Sequence, residues 1–413
     1  MLAVGGSTVV EWYDFTLCLY FAPTLSRVFF GPGGQALGKT LAGFAIAYLM
    51  RPLGAILFGL FGDRHGRRPT LFLSMAVMTL AMLCLAILPG YRQIGVLAGG
   101  ALILLRCLMG FSVGGEYTAV VTYLFESAPP HRRGLVTSLA AAASEIGGLL
   151  AVGLCALLTH YLDADSLEGW GWRIPFLFGA VLAGTICLAR GIISETPAFH
   201  EPSPAQTLSP LAYALRHERR GIAIGFAISA LGSISYYVGI TYVPSYLALI
   251  GGHDEAMALE FSTLAALVVI TVTPVVGLIS DVIGRKPVLL MLCAGCAVLP
   301  MAMFHLIAGG STACALAGMA TLAALAGGVS AVGTVATAEQ FSALTRLSGL
   351  ALGATSATAL FGGATPYLAH ALQQGTGMRE IPGMMIAVVA LGVGLALAIV
   401  MPSRKAPPDQ SQR

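Results

Sequence analysis

The chain has 413 residues, of which 57% are hydrophobic and only 10% are charged. Soluble globular domains carry about 25% charged residues, so the composition excludes a chain that covers its whole surface with polar side chains. The formal net charge of +3 does not indicate nucleic-acid binding. A secretory signal peptide is not indicated either, because the first apolar segment has no basic start and contains Glu11 and Asp14.

Apolar runs between charged or turn-forming clusters predict membrane-spanning helices along the whole chain. Runs of about 20 residues are long enough for a helix to cross roughly 30 Å of hydrocarbon. We therefore expect an all-α membrane protein with twelve transmembrane helices in two six-helix lobes. In chain order, the predicted spans are 2–30, 39–61, 70–90, 94–124, 135–161, 174–193, 220–250, 257–279, 288–308, 312–338, 348–373 and 382–401.

One long polar stretch divides the chain near its middle and predicts the domain organisation. We expect an N-terminal six-helix lobe over 1–193 and a cytoplasmic linker with a short amphipathic helix over 194–219. A C-terminal six-helix lobe over 220–401 and a short cytoplasmic tail over 402–413 complete the chain.

The distribution of lysine and arginine predicts the orientation of the spans. With both termini inside, fifteen of these residues fall in cytoplasmic loops and ends. The outer loops then hold only four, which are Lys39, Arg92, Arg173 and Arg379. Both termini are therefore expected on the cytoplasmic side.

Two charged motifs are repeated at nearly equal distances. GLFGDRHGRRP (59–69) recurs as GLISDVIGRKP (277–287), 218 residues later. ESAPPHRRG (126–134) is echoed by EQFSALTRLSG (339–349), with an offset of 213 residues. The two halves therefore read as six spans copied in the same orientation, a parallel repeat.

The repeated loops contain acidic residues as well as basic ones. We interpret Asp63, Arg67, Asp281 and Arg285 as gating residues of an ionic latch, whose ion pairs form when the cytoplasmic side closes and break when it opens. The alternative is that the basic residues are only positive-inside anchors. An acidic residue contributes nothing to anchoring, which favours the latch.

Ionisable residues inside apolar spans are costly and mark functional positions. Those predicted to lie away from the span ends all belong to the first half and are Glu11, Asp14, Arg51, Arg106, Glu116 and Glu145. The second half instead offers hydrogen-bonding aromatic residues, including Tyr236 and Tyr237. We therefore expect the N-terminal lobe to handle charge and protons, and the C-terminal lobe to supply an aromatic wall.

This charge pattern favours binding of a carboxylate together with protons. Arginine stays protonated and can bind a carboxylate, and desolvation lets buried carboxylic acids load and release protons. The predicted substrate and proton pathway comprises Asp14, Arg51, Arg106, Glu116, Tyr117, Glu145, Tyr236 and Tyr237. The alternative is a static network in which Arg106 pairs with Glu145 or Asp14 and only holds helices together.

The other distinctive residues favour structural roles. Gly110, Gly114 and Gly115 have the spacing that permits close helix contact. Cys293 and Cys296 form a CxxC without a second ligand pair, so no metal, redox cofactor or other cofactor is predicted. The absence of a nucleophile–base pattern argues against an enzyme.

Several of these motifs resemble known families. GLFGDRHGRRP, GLISDVIGRKP and RCLMG (106–110) resemble the major facilitator superfamily. More narrowly, the chain resembles the metabolite:proton symporter family, whose members carry citrate, 2-oxoglutarate, shikimate, proline or betaine in bacteria. The motifs that carry this resemblance are VEWYDF (10–15), RPLGAILFGLFGDRHGRRP (51–69), GFSVGGEY (110–117), ESAPPHRRG, SETPAF (194–199) and FGGATP (361–366).

The resemblance implies the major facilitator fold and a role for specific residues. Asp14, Arg51, Arg106 and Glu116 would lie in or beside the transport path, and Asp63 and Arg67 in the gating loop. Substrate would enter with protons moving down their gradient.

From the residues and the resemblance together, we expect a monomeric carrier in the bacterial inner membrane. It would import a small organic acid or zwitterion with protons by alternating access. The alternatives are a proton-driven exporter on the same fold and a transport-dead sensor that binds the metabolite without moving it.

Overall fold

The computed structural model describes residues 2–31, 36–191, 195, 210–249, 255–309, 311–362 and 365–402. Within these ranges the regular elements are all helical. The chain divides into two compact units. The first unit comprises residues 1–123 and 143–211, and the second comprises residues 124–142 and 212–413.

The first half of the chain forms the helices α1 (Leu2–Tyr20), α2 (Ala22–Phe30), α3 (Ala36–His65), α4 (Arg67–Ala86), α5 (Tyr91–Ile94), α6 (Leu97–Ser127), α7 (Arg133–Tyr161), α8 (Ala164–Ser166) and α9 (Arg173–Arg190). The end of α6 and the beginning of α7 belong to the second unit. A short π-helical segment, Leu167–Gly171, precedes α9.

The second half forms the helices α10 (Pro210–His217), α11 (Arg219–Tyr236), α12 (Val243–Leu249), α13 (Glu255–Ile283), α14 (Arg285–Ile307), α15 (Thr312–Ala338), α16 (Arg346–Leu350), α17 (Ser356–Phe361), α18 (Thr365–Thr376) and α19 (Ile381–Val400). Two π-helical segments interrupt its spans, at Tyr237–Thr241 and Ala351–Thr355. The eight-residue α10 lies where the sequence predicts a short helix in the linker.

Eleven helices among the described residues are long and apolar enough to cross a membrane. They correspond to the second to twelfth predicted spans. The first predicted span is divided at Phe21 into α1 and α2 and is not among the eleven. The chain is therefore a multi-pass membrane protein.

The repeated motif forms the same turn in each half. Gly66 separates α3 from α4 with φ 107°, and Gly284 separates α13 from α14 with φ 103°. Side chains with a Cβ rarely adopt positive φ. The glycine of each copy is therefore required by the reversal between two long helices.

The last basic residue of each motif bonds to the end of another helix. The Arg68 guanidinium donates to the carbonyl of Gly191, directly after α9. The Lys286 ammonium donates to the carbonyl of Met401, directly after α19, at 2.7 Å. Cations are favourable at helix C-termini. These two side chains therefore fasten the last long helix of each half.

Glycines bring α3 and α6 into close contact within the first unit. A Cβ on Gly110 would collide with the carbonyl oxygen of Ala47, and a Cβ on Gly114 would collide with that of Arg51. The predicted role of these glycines in close helix packing is confirmed. The contact also fixes the height of Arg51 relative to the α6 side chains.

Candidate functional site

Helix α1 presents two acidic residues on one face of the first unit. Glu11 and Asp14 are three residues apart, so their side chains lie one helical turn from each other. Glu11 is 4% exposed and Asp14 is 2% exposed. Buried charges need partners, and two arginines from neighbouring helices supply them.

Asp14 is bound tightly by Arg106 of α6. The distance from Arg106 Nη1 to Asp14 Oδ2 is 2.6 Å, and both side chains are buried. Arg106 also lies against the Phe44 ring of α3, with Cζ 5.4 Å from the ring centroid. Of the two partners that the sequence offers for Arg106, the structure pairs it with Asp14.

Glu11 is held more loosely by Arg51 of α3. Arg51 Nη1 lies 3.7 Å from Glu11 Oε1, which is beyond hydrogen-bond distance. The guanidinium is instead flanked by two rings, with Cζ 4.5 Å from the Tyr48 centroid and 5.3 Å from the Phe15 centroid. The Arg51 side chain is 15% exposed and so remains accessible.

A cavity opens between α1, α3 and α6. Three predicted pathway residues, Asp14, Arg51 and Arg106, lie together in its wall. The remaining lining residues are mostly apolar or aromatic and are Phe15, Cys18, Leu19, Phe44, Ala47, Tyr48, Met109, Gly110 and Val113. Two guanidinium groups in an apolar and aromatic cavity form a site suited to a small carboxylate.

Glu116 belongs to a separate buried network rather than to the wall of this cavity. Arg190, at the end of α9, binds both of its oxygens, at 2.5 Å and 3.0 Å. Ser74 of α4 donates to Glu116, and Arg190 also donates to Ser7 of α1. The network ties four helices of the first unit together, which is the geometry of a structural ion pair.

The remaining predicted pathway residues lie outside the cavity wall. Glu145 is buried on α7, and Tyr117 is half-buried on α6. In the second unit, Tyr236 and Tyr237 stack edge to face at the junction of α11 and its π-helical segment, with centroids 5.6 Å apart. Their assignment to the pathway stays a prediction.

In the first unit, the repeated motif forms an internal ion pair. Arg67 Nη1 lies 3.4 Å from Asp63 Oδ1, and both side chains are almost fully buried. Arg67 also donates to the Gly62 carbonyl at 3.0 Å. Glu195 accepts hydrogen bonds from the backbone amides of Arg67 and Arg68 at 3.0 Å and 3.1 Å and so caps α4.

In the second unit, Asp281 connects α13 to the beginning of α7. Its carboxylate accepts hydrogen bonds from the backbone amides of Gly134 and Leu135, at 2.8 Å and 2.9 Å. Arg285 binds Asp281 at 2.7 Å and Glu339 at 3.1 Å. A carboxylate at a helix N-terminus is stabilised by free amides and the helix dipole.

An ion pair joins the second pair of repeated motifs, ESAPPHRRG and EQFSALTRLSG. Arg346 of α16 pairs with Glu126 near the end of α6. Two guanidinium groups contact the Phe125 ring, with Arg133 Cζ 4.3 Å and Arg346 Cζ 4.7 Å from its centroid. Residues 124–142 come from the first half of the sequence but pack in the second unit. Asp281 and the Arg346–Glu126 pair therefore join segments from both sequence halves within the second unit.

Sequence reasoning missed two residues that the structure makes prominent. Arg190 is one of the fifteen basic residues predicted on the cytoplasmic side, but its side chain is fully buried against Glu116. Glu195 stands out in the sequence only as part of the SETPAF motif, although its carboxylate caps α4. The sequence did contain a signal for Arg190. It is a basic residue near the inner end of the sixth predicted span, and the fourth span carries an acid, Glu116, that needs a partner.

No group of three or more metal-ligating side chains occurs among the described residues. The eight cysteines are all free, and Cys293 and Cys296 are buried on α14. Both belong to the apolar core of the second unit.

Long apolar helices around a charged internal cavity define a membrane protein of the solute-carrier class. The Major Facilitator Superfamily model matches residues 5–366, and the chain belongs to this family. The predictions of the fold and of a transporter rather than an enzyme are thereby confirmed.

Individual relatives cover nearly the whole chain. The ectoine/proline transporter ProP of Corynebacterium glutamicum is 33% identical over 98% of this chain and 84% of its own length. The citrate-proton symporter of Salmonella typhi is 31% identical over 97% of this chain and 93% of its own length. A double-Trp mutant of XylE, a xylose transporter from E. coli, has the same fold, with a TM-score of 0.83, 19% identity and coverage of 98% and 96%.

Proposed function

We propose that the protein is a secondary active transporter that imports a small carboxylate-bearing metabolite together with protons. The observation that carries the proposal is the cavity of the first unit, where Arg51 and Arg106 lie beside buried acids. Arginine offers a carboxylate charge-assisted hydrogen bonds. The relatives named for ectoine, proline and citrate carry substrates with carboxylate groups, which supports this class.

Proton coupling is proposed from the acidic partners of these arginines. A substrate carboxylate that enters the cavity competes with the acid side chains for the guanidinium groups. Protonation of an acid relieves this competition, so proton binding and substrate binding reinforce each other. The name of the citrate-proton symporter relative supports the same coupling.

Alternating access would then follow from contacts that hold one state closed. Asp281 and its bonds to the first turn of α7 are our candidate for such a contact, with Asp63, Arg67 and Arg285 in the same gating role. The carrier would act as a monomer in a bacterial inner membrane, with both termini in the cytoplasm.

The direct test is uptake into proteoliposomes with an imposed pH gradient, acid outside. We expect accumulation of citrate, 2-oxoglutarate, shikimate, proline or betaine that collapses when a protonophore dissipates the gradient. Loss of preloaded substrate under the same gradient would instead identify an exporter. Binding without movement in either direction would identify a sensor.

Neutralising Asp281 tests the gating proposal. Asp281→Asn removes the charge from two hydrogen bonds to helix amides, and we expect this to destabilise the closed state by about 1 to 2 kcal/mol. The ratio of closed to open protein should then fall by roughly 5- to 30-fold. We expect slower uptake with an unchanged amount of protein in the membrane. Asp163→Asn, at an exposed helix cap, is the matched control. Wild-type uptake by Asp281→Asn would contradict the gating role.

A further inference from the structure

Glu11 is the more loosely held of the two acids that pair with the cavity arginines. It is 4% exposed, and its Oε2 atom is buried without a hydrogen-bond partner in the described part of the chain. Its other oxygen lies 3.7 Å from Arg51 Nη1. A buried carboxylate held this loosely is poorly compensated for the loss of water.

The charged groups that face Glu11 divide into one cation and two anions. Arg51 faces it from α3, Glu116 from α6, and Asp14 from one turn further along α1. Glu116 is neutralised by Arg190 of α9, and Asp14 by Arg106 of α6. The neighbouring α7 carries one further buried acid, Glu145. Among these described groups, Arg51 is therefore the one cation that faces Glu11.

Asp14 differs from Glu11 in the strength of its contact. It forms a 2.6 Å charge-assisted hydrogen bond with Arg106. Protonating Asp14 at Oδ1, which has no partner among the described residues, would leave the buried Arg106 guanidinium with a neutral acceptor in place of its counter-charge, which is costly. Protonating Glu11 breaks no hydrogen bond to Arg51. The Arg51 guanidinium is partly exposed and lines the cavity, where a substrate carboxylate can reach it.

We propose that Glu11 is the residue that takes up the transported proton, and that its protonation releases Arg51 to bind the substrate carboxylate. This inference rests on the proposed proton-coupled uptake. The proton adds to a Glu11 carboxylate oxygen and gives the neutral acid. The incoming carboxylate then takes the place of the Glu11 charge beside Arg51. The Arg106–Asp14 pair is not the proton-binding contact in this proposal.

The test compares net uptake with exchange in proteoliposomes, using radiolabelled L-proline and citrate as probes. Exchange of labelled for unlabelled substrate needs no net proton movement, whereas accumulation under a pH gradient does. For Glu11→Gln we expect at least about a tenfold loss of gradient-driven uptake, with exchange within about twofold of wild type. Glu380→Gln, a substitution at a partly exposed loop acid, should leave both rates unchanged.

A spectroscopic measurement makes the test independent of the substrate. Infrared difference spectra between acidic and alkaline pH detect the carbonyl stretch of a protonated carboxyl group. We expect a titrating band that disappears in Glu11→Gln and persists in Asp14→Asn. Loss of the band in Asp14→Asn, with persistence in Glu11→Gln, would assign the proton to Asp14 and overturn the inference.

The two proposals fail in different ways. If wild-type protein accumulates neither probe under a pH gradient, proton-coupled uptake fails for these probes, and the infrared band still decides whether Glu11 binds a proton. If wild-type protein accumulates a probe and Glu11→Gln does so equally well, the proposed function stands and the role of Glu11 is overturned.

Discussion

Replacing Arg190 by glutamine is expected to destabilise the protein more than any other single loss of charge. The change leaves Glu116 buried with neither of the two hydrogen bonds that Arg190 donates to it. Removing one partner of a buried ion pair costs about 3 to 5 kcal/mol. The network also joins α1, α4, α6 and α9, so its loss loosens the contact among four helices. We expect a much smaller fraction of folded protein after heating in detergent, measured by size-exclusion chromatography.

The double variant Glu116→Gln/Arg190→Gln separates a lost counter-charge from lost packing. Removing both charges leaves two amides that can hydrogen-bond each other, so most of the stability should return. Arg64→Gln serves as the control, because Arg64 is exposed at the end of α3. If Arg190→Gln survives heating as well as wild type does, the pair contributes nothing to the fold.

Replacing Arg51 by glutamine is expected to abolish most transport while leaving the fold intact. Arg51 lines the cavity, is partly exposed and has no close hydrogen bond to Glu11. Glu11 can accept a proton when its counter-charge is removed. The lost interaction with a substrate carboxylate is worth about 2 to 3 kcal/mol, or roughly 30- to 150-fold in uptake efficiency.

The measurement is the initial rate of uptake over a range of substrate concentrations. Arg92→Gln, an exposed position in α5, provides a matched loss of an arginine outside the cavity. Arg51→Lys should recover only part of the activity, because an ammonium lacks the planar fork that binds a carboxylate through two hydrogen bonds. Uptake by Arg51→Gln at the wild-type rate would exclude Arg51 from the binding site.

The sequence predicts the helical spans well because the bilayer imposes their length. The predicted span 312–338 coincides with α15, and the predicted spans 39–61 and 382–401 differ from α3 and α19 by a few residues at most. Gly66 and Gly284 were predictable for a related reason, since a short reversal between two helices calls for a residue without a Cβ.

The candidate site was predictable only in part. Arg51, Arg106 and Asp14 stand out because charge inside an apolar span is rare, and they do meet at one cavity. Their partners could not be read from the sequence. Whether Arg106 pairs with Asp14 or Glu145 depends on how α1, α6 and α7 rotate about their axes, and this is set by tertiary packing. Arg190 was missed for the same reason.

The π-helical turn at Tyr237–Thr241 changes which residues of its span lie on the same face of the helix. The amide of Tyr242 bonds to the carbonyl of Tyr237, five residues back, so one residue is surplus to a regular helix. Each surplus residue rotates everything after it by about 100°. The Tyr242 hydroxyl meets His370 at 3.3 Å on the far side of this turn. This contact depends on the extra residue in the π-helical turn. Deleting one residue of Tyr237–Thr241 would rotate the Tyr242 side chain away from His370, although neither side chain at the contact would change.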